Sequence, residues 1–220
     1  MSATVTIAGE TLELCAERAV YWPRRRTLLV ADPHFGKAAS FRALGVRVPR
    51  GTTEGALARL DGLVARLAPA RIEFLGDFLH AREGRNDETF RLLTDWRARH
   101  GGIAMRLVRG NHDKRAGDPP SAVGIECVDG PLLEPPFALA HHPAQVDGAY
   151  VLAGHVHPCA VLVGRGRQRE RLPCFWLGER TGVLPAFGEF TGCAEVTPSE
   201  GDAVWVVAGD EVMRFEARVS

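Results

Sequence analysis

Residues 107–115 read "LVRGNHDKR": an apolar run ends at Val108, and Gly110 is followed at once by Asn111, His112 and Asp113. A glycine and three polar groups directly after strand-like residues make either an ordinary turn or a strand end that delivers ligands and a proton carrier to one point. Four other apolar runs end in the same way. Leu28-Leu29-Val30 leads into "ADPHFGK" with Asp32 and His34, and Phe74-Leu75 into "GDFLHAR" with Asp77 and His80. Ala138-Leu139-Ala140 leads into "HHP" with His141 and His142, and Val151-Leu152 into "AGHVHPC" with His155 and His157. Seven of the 8 histidines fall in these five segments, leaving out only His100. In an open α/β sheet, ligands bind at the carboxyl ends of the strands.

Around these segments the chain reads as a two-part pattern. "ATVTIAGETLEL" alternates apolar and polar residues on both sides of Ala8-Gly9, which predicts an opening hairpin. "RTLLVAD", "RIEFLGD" and "IAMRLVRGNHD" are short buried strands. Between them, "TTEGALARLDGLVARLAP" has helical spacing, a Thr cap and a terminating Pro69, and "NDETFRLLTDWRARHG" is a helix opened by Asn86 or Asp87 and closed by Gly101. Two βα units feeding a sheet indicate an α/β core. After residue 136 the β-like runs are short, which predicts a second, mostly antiparallel sheet facing the first, with helices outside. "GRGRQRER" (164–171) is expected as a solvated basic loop, and Trp22, Trp96, Trp176 and Trp205 as core.

Composition narrows the function classes. The 220 residues are 45% hydrophobic, enough for one well-buried core, and a single domain over 1–220 is expected. The formal net charge is zero, so no general attraction to polyanions is available and any basic patch is local. No apolar stretch approaches the ~20 residues of a membrane span, and the amino terminus shows no secretory signal. The 5 cysteines form no CxxC pair; each is read as a small buried residue, which argues against a disulfide framework and for a reducing cytoplasm.

Asp32, His34, Asp77, Asn111, His141, His155 and His157 are more donors than one ion needs, and bundled without cations they would carry too much desolvated polarity. Two divalent ions sharing one carboxylate would satisfy them. Mixed imidazole and carboxylate ligands suit Mn, Fe or Zn over Ca or Mg, and the absence of cysteine from the set weighs against a structural zinc. Taken singly, Asp32 or Asp77 reads as a turn former; five such segments in order do not.

DxH, GD, GNHD, H and GHxH, in this order between residues 28 and 158, resemble the calcineurin-like metallophosphoesterase superfamily. Within it, "LLVADPHFGKAASFRALGVRVPRG", "EFLGDFLH", "VRGNHD", "HHP" and "GHVHP" are most similar to the bacterial ligase-associated DNA-damage-response endonucleases of the PdeM type. The resemblance implies a four-layer α/β/β/α sandwich of two facing mixed β-sheets flanked by helices. It implies two divalent ions, Mn2+ ahead of Fe or Zn: Asp32, His34 and His157 for one, Asn111, His141 and His155 for the other, with Asp77 between them. After the fourth strand His142 is an alternative to His141, which is favoured because it follows the apolar run directly. His112 would be the acid beside the leaving oxygen, with Asp113 supporting its orientation. Where many relatives have an acidic residue and Arg after GD, this chain has His80 and then Arg82. "GDFLH" resembles the GD-x-x-H form of double-strand-break repair nucleases, which makes His80 a candidate substrate-positioning residue.

The implied activity is a two-metal phosphodiesterase, a DNA endonuclease in DNA repair that uses a metal-bridging hydroxide. The alternatives are a phosphatase or small-molecule phosphodiesterase of the same fold and, against the full donor set, an inactive binding module. Arg42, Arg47 and Arg50 follow the first motif directly and are candidates for touching a phosphate backbone; "PRRRTLL" (23–29) and Lys37 add cations. Phe35 and Phe41 could stack on bases, though core packing is the commoner fate of a Phe. DNA is the expected substrate, and partner repair proteins (a ligase, a helicase and a nuclease-like factor) are implied by the resemblance alone.

Overall fold

The computed structural model describes residues 1–49, 51–164 and 168–215. Seven strands form the first sheet in chain order: β1 (Ala3–Ile7), β2 (Glu10–Cys15), β3 (Ala19–Trp22), β4 (Thr27–Val30), β5 (Arg71–Leu75), β6 (Ala104–Val108) and β7 (Glu126–Val128). β1 to β4 pair antiparallel and β4 to β7 parallel. The β1–β2 hairpin turns on Ala8 and Gly9, both at positive φ (48° and 79°), the backbone a two-residue hairpin needs.

Four α-helices occupy the connections. α1 (Lys37–Ala43) and α2 (Thr52–Leu67) link β4 to β5, α3 (Asp87–Arg99) links β5 to β6, and α4 (Asn111–Ala116) follows β6. α2 buries Ala56, Leu57, Leu60 and Leu63, one stripe of the helix, against Leu28, Val30, Ile72 and Phe74. Its expected Thr cap is corrected: Gly51 occupies that position in left-handed backbone, and the Thr53 hydroxyl instead accepts from the Gly36 N–H. For α3 the structure selects Asn86, whose side chain accepts from Thr89 N–H at 2.8 Å, and the helix already ends at Arg99. α1 and α4 were not foreseen. Both are short and rich in polar residues, so they carry no apolar period.

The second sheet is built from β8 (Leu132–Glu134), β9 (Phe137–Ala140), β10 (Tyr150–Ala153), β11 (Pro158–Val163), β12 (Arg169–Leu177), β13 (Thr181–Val183), β14 (Ala194–Glu195), β15 (Ala203–Ala208) and β16 (Glu211–Phe215). β9, β10 and β13 run parallel, as do β11 and β14; the other pairings are antiparallel. Residues 169–171, expected in a loop, open β12, while Arg165 and Arg167 lie outside the described residues.

Two mixed sheets with flanking helices are thus what the sequence predicts. Alternate residues of each central strand face opposite layers. Leu28 and Val30 pack toward the helices, whereas Leu29, Leu75 and Val108 meet Phe137, Leu139, Leu152 and Phe175 between the sheets. Among the described residues all α-helices fall between Lys37 and Ala116, and Val146 and Ala149 pack on the other face of β9 and β10. Among the described residues no helix is long and apolar enough to cross a membrane.

One cysteine expectation is overturned. Cys159 and Cys193 form a disulfide with their Cα atoms 5.7 Å apart, while Cys15, Cys127 and Cys174 are free. The β11–β14 pairing brings the two together across 34 residues, a proximity that spacing does not encode. The cysteine argument for a reducing compartment therefore falls.

Glu73 on β5 has no exposure and is held by the cross-strand Arg106 guanidinium at 2.7 and 3.0 Å, which also bonds Glu134 of β8. Burial outweighs these partners and keeps the Glu73 carboxyl above its ordinary 4.5. Replacing Arg106 with methionine removes both close bonds to a buried carboxylate and leaves it only Arg71 Nη1 at 3.6 Å, with an expected cost of up to roughly 3–5 kcal/mol. Because the folded pKa lies above the unfolded one, that cost is absent below pH 4.5, where Glu73 is neutral in both states, grows as pH rises from there, and is complete above the folded pKa. Urea titrations of both proteins at pH 7 and in acid check this; a deficit independent of pH would refute it.

Candidate metal centre

Every predicted ligand lies just beyond the carboxyl end of a parallel strand: Asp32 and His34 after β4, Asp77 after β5, Asn111 after β6, His141 after β9, and His155 and His157 after β10. Five of them, Asp32, His34, Asp77, His155 and His157, sit in left-handed backbone with φ between 47° and 68°. Each such residue costs ~1–3 kcal/mol and persists only where the surroundings over-determine it. The close approach of neighbouring strands explains two glycines of the motifs. A methyl group on Gly76 would overlap the His141 ring, and one on Gly110 would overlap the Asp77 carboxylate.

The hydrogen bonds leave acceptors facing acceptors. His141 donates from Nδ1 to the Leu75 carbonyl at 3.1 Å, so its Nε2 carries a lone pair. That Nε2 faces Asn111 Oδ1 at 2.9 Å, His155 Nδ1 at 3.1 Å and Asp77 Oδ1 at 3.4 Å. His157 donates from Nδ1 to the Gly192 carbonyl at 3.1 Å, and its Nε2 faces His34 Nε2 at 3.4 Å and Asp32 Oδ2 at 3.6 Å. Asp32 is fully buried; its Oδ2 accepts from His155 N–H at 2.8 Å, and its Oδ1 has no hydrogen-bond partner among the described residues. Converging lone pairs around an orphaned carboxylate oxygen fit cations, and the carbonyl-fixed imidazole tautomers are the usual support of metal-binding histidines.

Asp77 lies between the two sets. Its Oδ1 accepts from His112 N–H at 2.9 Å and faces His141, while its Oδ2 is 3.9 Å from His34 Nε2. Four trios offer ligand atoms within 4.8 Å of one another: Asp32, His34, His157; Asp32, Asp77, His141; His141, His142, His155; and His34, His80, His112. Burial holds His34 and His155 below the usual histidine range, neutral at pH 7, the form that ligates. Of the two candidates after β9, His141 is buried with the partners above, and His142 is exposed at the rim beside His155.

The remaining candidates divide. His112 donates from Nδ1 to the His80 carbonyl, leaving Nε2 toward the site, 3.7 Å from Asp77 Oδ2. His80 stacks on His112 with ring centroids 5.1 Å apart, and burial pushes it down to about 4. Asp113 does not bond the His112 ring. Its carboxylate accepts from the N–H groups of Phe78, Leu79 and Gly110 at 3.0, 3.2 and 2.9 Å, which fixes the turn that presents the His80 carbonyl. Arg42 bonds the Pro49 carbonyl at 3.4 Å, Arg47 is exposed, and Arg50 lies outside the described residues. Phe35 is core at 1% exposure, whereas Phe41 is half-buried with its ring 5.6 Å from His80. The Pro23–Arg25 turn precedes β4 and so lies at the opposite end of that strand from the site. Sequence reasoning missed the segment 184–194, whose Gly192 carbonyl sets His157; no motif marks it.

No protein-family model matches the chain, and no curated protein sequence matches it. Among solved structures, the crystal structure of Pseudomonas putida nuclease MPE is similar with a TM-score of 0.86 and 46% identity, over 98% of this chain and 100% of that one. Yfce, a phosphoesterase from E. coli, matches with a TM-score of 0.38 and 15% identity over 84% and 88% of the two chains, a similarity too low to carry residue roles. With its motifs, its two-sheet fold and this full-length identity, the chain belongs to the calcineurin-like metallophosphoesterases, a metal-dependent phosphoesterase in the same family as Pseudomonas putida nuclease MPE.

Proposed function

We propose that this chain is a two-metal phosphodiesterase, an endonuclease that cuts DNA during repair, with residues 1–220 working as one domain. The observation that carries the two-ion reading is the Asp77 carboxylate, one oxygen facing His34 and the other His141. The nuclease reading is supported by the 46% identity to a nuclease. Manganese ahead of iron or zinc, and repair partners such as a ligase, a helicase and a nuclease-like factor, rest on the family resemblance.

Asp32, His34 and His157 would hold one ion and Asn111, His141 and His155 the other, with Asp77 shared. Bound divalent ions supply Lewis-acid charge for phosphate oxygens and lower the pKa of an attacking water. The chain's own residues do the rest. His112, anchored at Nδ1 by the His80 carbonyl, acts as the imidazolium: it gives its Nε2 proton to the departing alkoxide and keeps the Nδ1 proton. Asp113 holds the turn that carries that carbonyl, and His80 walls the same side of the site.

Incubation with supercoiled plasmid, single-stranded DNA and an aryl phosphodiester, with Mn2+ or a chelator, tests the reading. Metal-dependent nicking is expected. Hydrolysis of the aryl ester with all DNA intact would move the assignment to a small-molecule phosphodiesterase. For the acid role, His112→Ala is expected to slow DNA cleavage by ~10²–10⁴-fold and to affect an aryl ester, whose leaving group needs no proton, far less. Equal losses on both substrates would remove His112 from that role.

A further inference from the structure

A cavity borders the metal centre at His157 without belonging to it. It has a volume of about 370 Å³, opens beside His157, and is bordered by Arg18, Arg171, Glu189, Phe190 and Thr191. One wall is the segment 184–194 between β13 and β14. Its Phe187 and Gly188 N–H groups donate to the Ala31 and Asp32 carbonyls at 2.8 and 3.1 Å, and Ala194 N–H donates to the His157 carbonyl at 3.0 Å. The Gly192 carbonyl accepts from His157, and Cys193 is bonded to Cys159. The segment is therefore pinned at both ends to backbone that carries metal-ligand candidates.

Its tip is not packed. Phe190 is 53% exposed and sits in left-handed backbone with φ of 55°. A large apolar ring in water on strained backbone is unfavourable on both counts, and such an outlier beside a site points to use by a ligand. The charges in the groove are uneven. Glu189 is taken by Arg59 at 2.6 Å, whereas the exposed Arg171 side chain, on a residue paired in the β11–β12 ladder, makes no hydrogen bond or ion pair among the described residues. An aromatic face and an open guanidinium next to a phosphoesterase centre match the base and the phosphate of one nucleotide.

We propose that this groove is a nucleotide subsite, which receives an unpaired nucleotide next to the cleaved phosphodiester, its base stacked on Phe190 and its outer phosphate against Arg171. The inference rests on the DNA phosphodiesterase reading and adds to it a place for the strand on the His157 side. Phe190 is a substrate-positioning residue in this scheme and takes no part in proton transfer.

The test is Mn2+-dependent cleavage of a single-stranded oligonucleotide in which one abasic unit is moved past the cleavage point, using wild type, Phe190→Ala, Phe190→Tyr and Arg171→Ala. In wild type, one abasic position is expected to raise KM roughly 5- to 160-fold, the loss of one base–aromatic stack, with kcat kept. Phe190→Ala raises KM by a similar factor on the intact strand and no longer senses the abasic unit, because the two changes remove one contact. Phe190→Tyr restores both, and Arg171→Ala lowers the slope of log KM against log salt by about one. An unchanged KM in Phe190→Ala, or an abasic penalty that survives it, overturns the subsite and leaves the phosphodiesterase reading standing. Failure of wild type to cut any oligonucleotide, while it hydrolyses an aryl phosphodiester, overturns the subsite together with the DNA reading.

Discussion

Asp77→Ala is expected to lower metal-dependent phosphodiester hydrolysis by ~10³-fold or more, since Lewis-acid stabilisation is worth several kcal/mol and each 1.36 kcal/mol is a factor of ten. The carboxylate is 2% exposed and faces both histidine sets, one oxygen toward His34 and the other toward His141. Its loss acts on metal affinity rather than on folding. In the metal-free protein Asp77 gains one hydrogen bond from His112 N–H and pays the desolvation of a second buried carboxylate near Asp32, so the apo variant should unfold close to the wild type. What it loses is the rise in Tm that saturating Mn2+ gives the wild type, because only a ligand that binds the folded state raises its stability. Metal content, thermal unfolding with and without Mn2+, and hydrolysis rates separate the two effects. A variant that keeps two bound ions, or most of its activity, would refute the shared-ligand role.

Gly76→Ala is the second large effect. Gly76 has φ of +79°, and a Cβ there would overlap the His141 ring. Left-handed backbone costs an L residue roughly 1–2 kcal/mol, and overpacking adds about 1–3 kcal/mol. The ring must turn away from the Leu75 carbonyl and so from Asn111, His155 and Asp77 together. The expected result is a Tm well below wild type and loss of the ion that His141 would share, read as a lower metal stoichiometry. Gly62→Ala inside α2 is the control: nothing lies within 4 Å of its Cβ, and alanine in a helix interior is favoured over glycine by about 0.5–1 kcal/mol. Equal destabilisation of both variants would refute the steric account.

Much of this site is legible in the chain because its information is local. An apolar run with a donor directly after it identifies a strand and its carboxyl end at once, and five such runs identify a shared rim. The αL backbone at Asp32, His34, Asp77, His155 and His157 is not legible, since none of these residue types demands it; glycines beside them relieve only the neighbouring contacts. Asp113 shows the same limit. Its place in "GNHD" suggests contact with the adjacent His112, yet the helical turn of α4 points the carboxylate at Phe78, Leu79 and Gly110. Short polar helices such as α1 and α4 leave no period to read.

From its residues alone the chain determined the α/β core, the second sheet, the set of seven donors and the histidine beside them, because strand period and donor chemistry are properties of short segments. Tertiary structure alone decided that the His80 carbonyl rather than Asp113 holds His112, and that Cys159 meets Cys193. It also brought Gly192 and Phe190 to the edge of the site. Those contacts join segments tens of residues apart through sheet pairing, and the energy that selects them resides in the packed whole rather than in any one stretch.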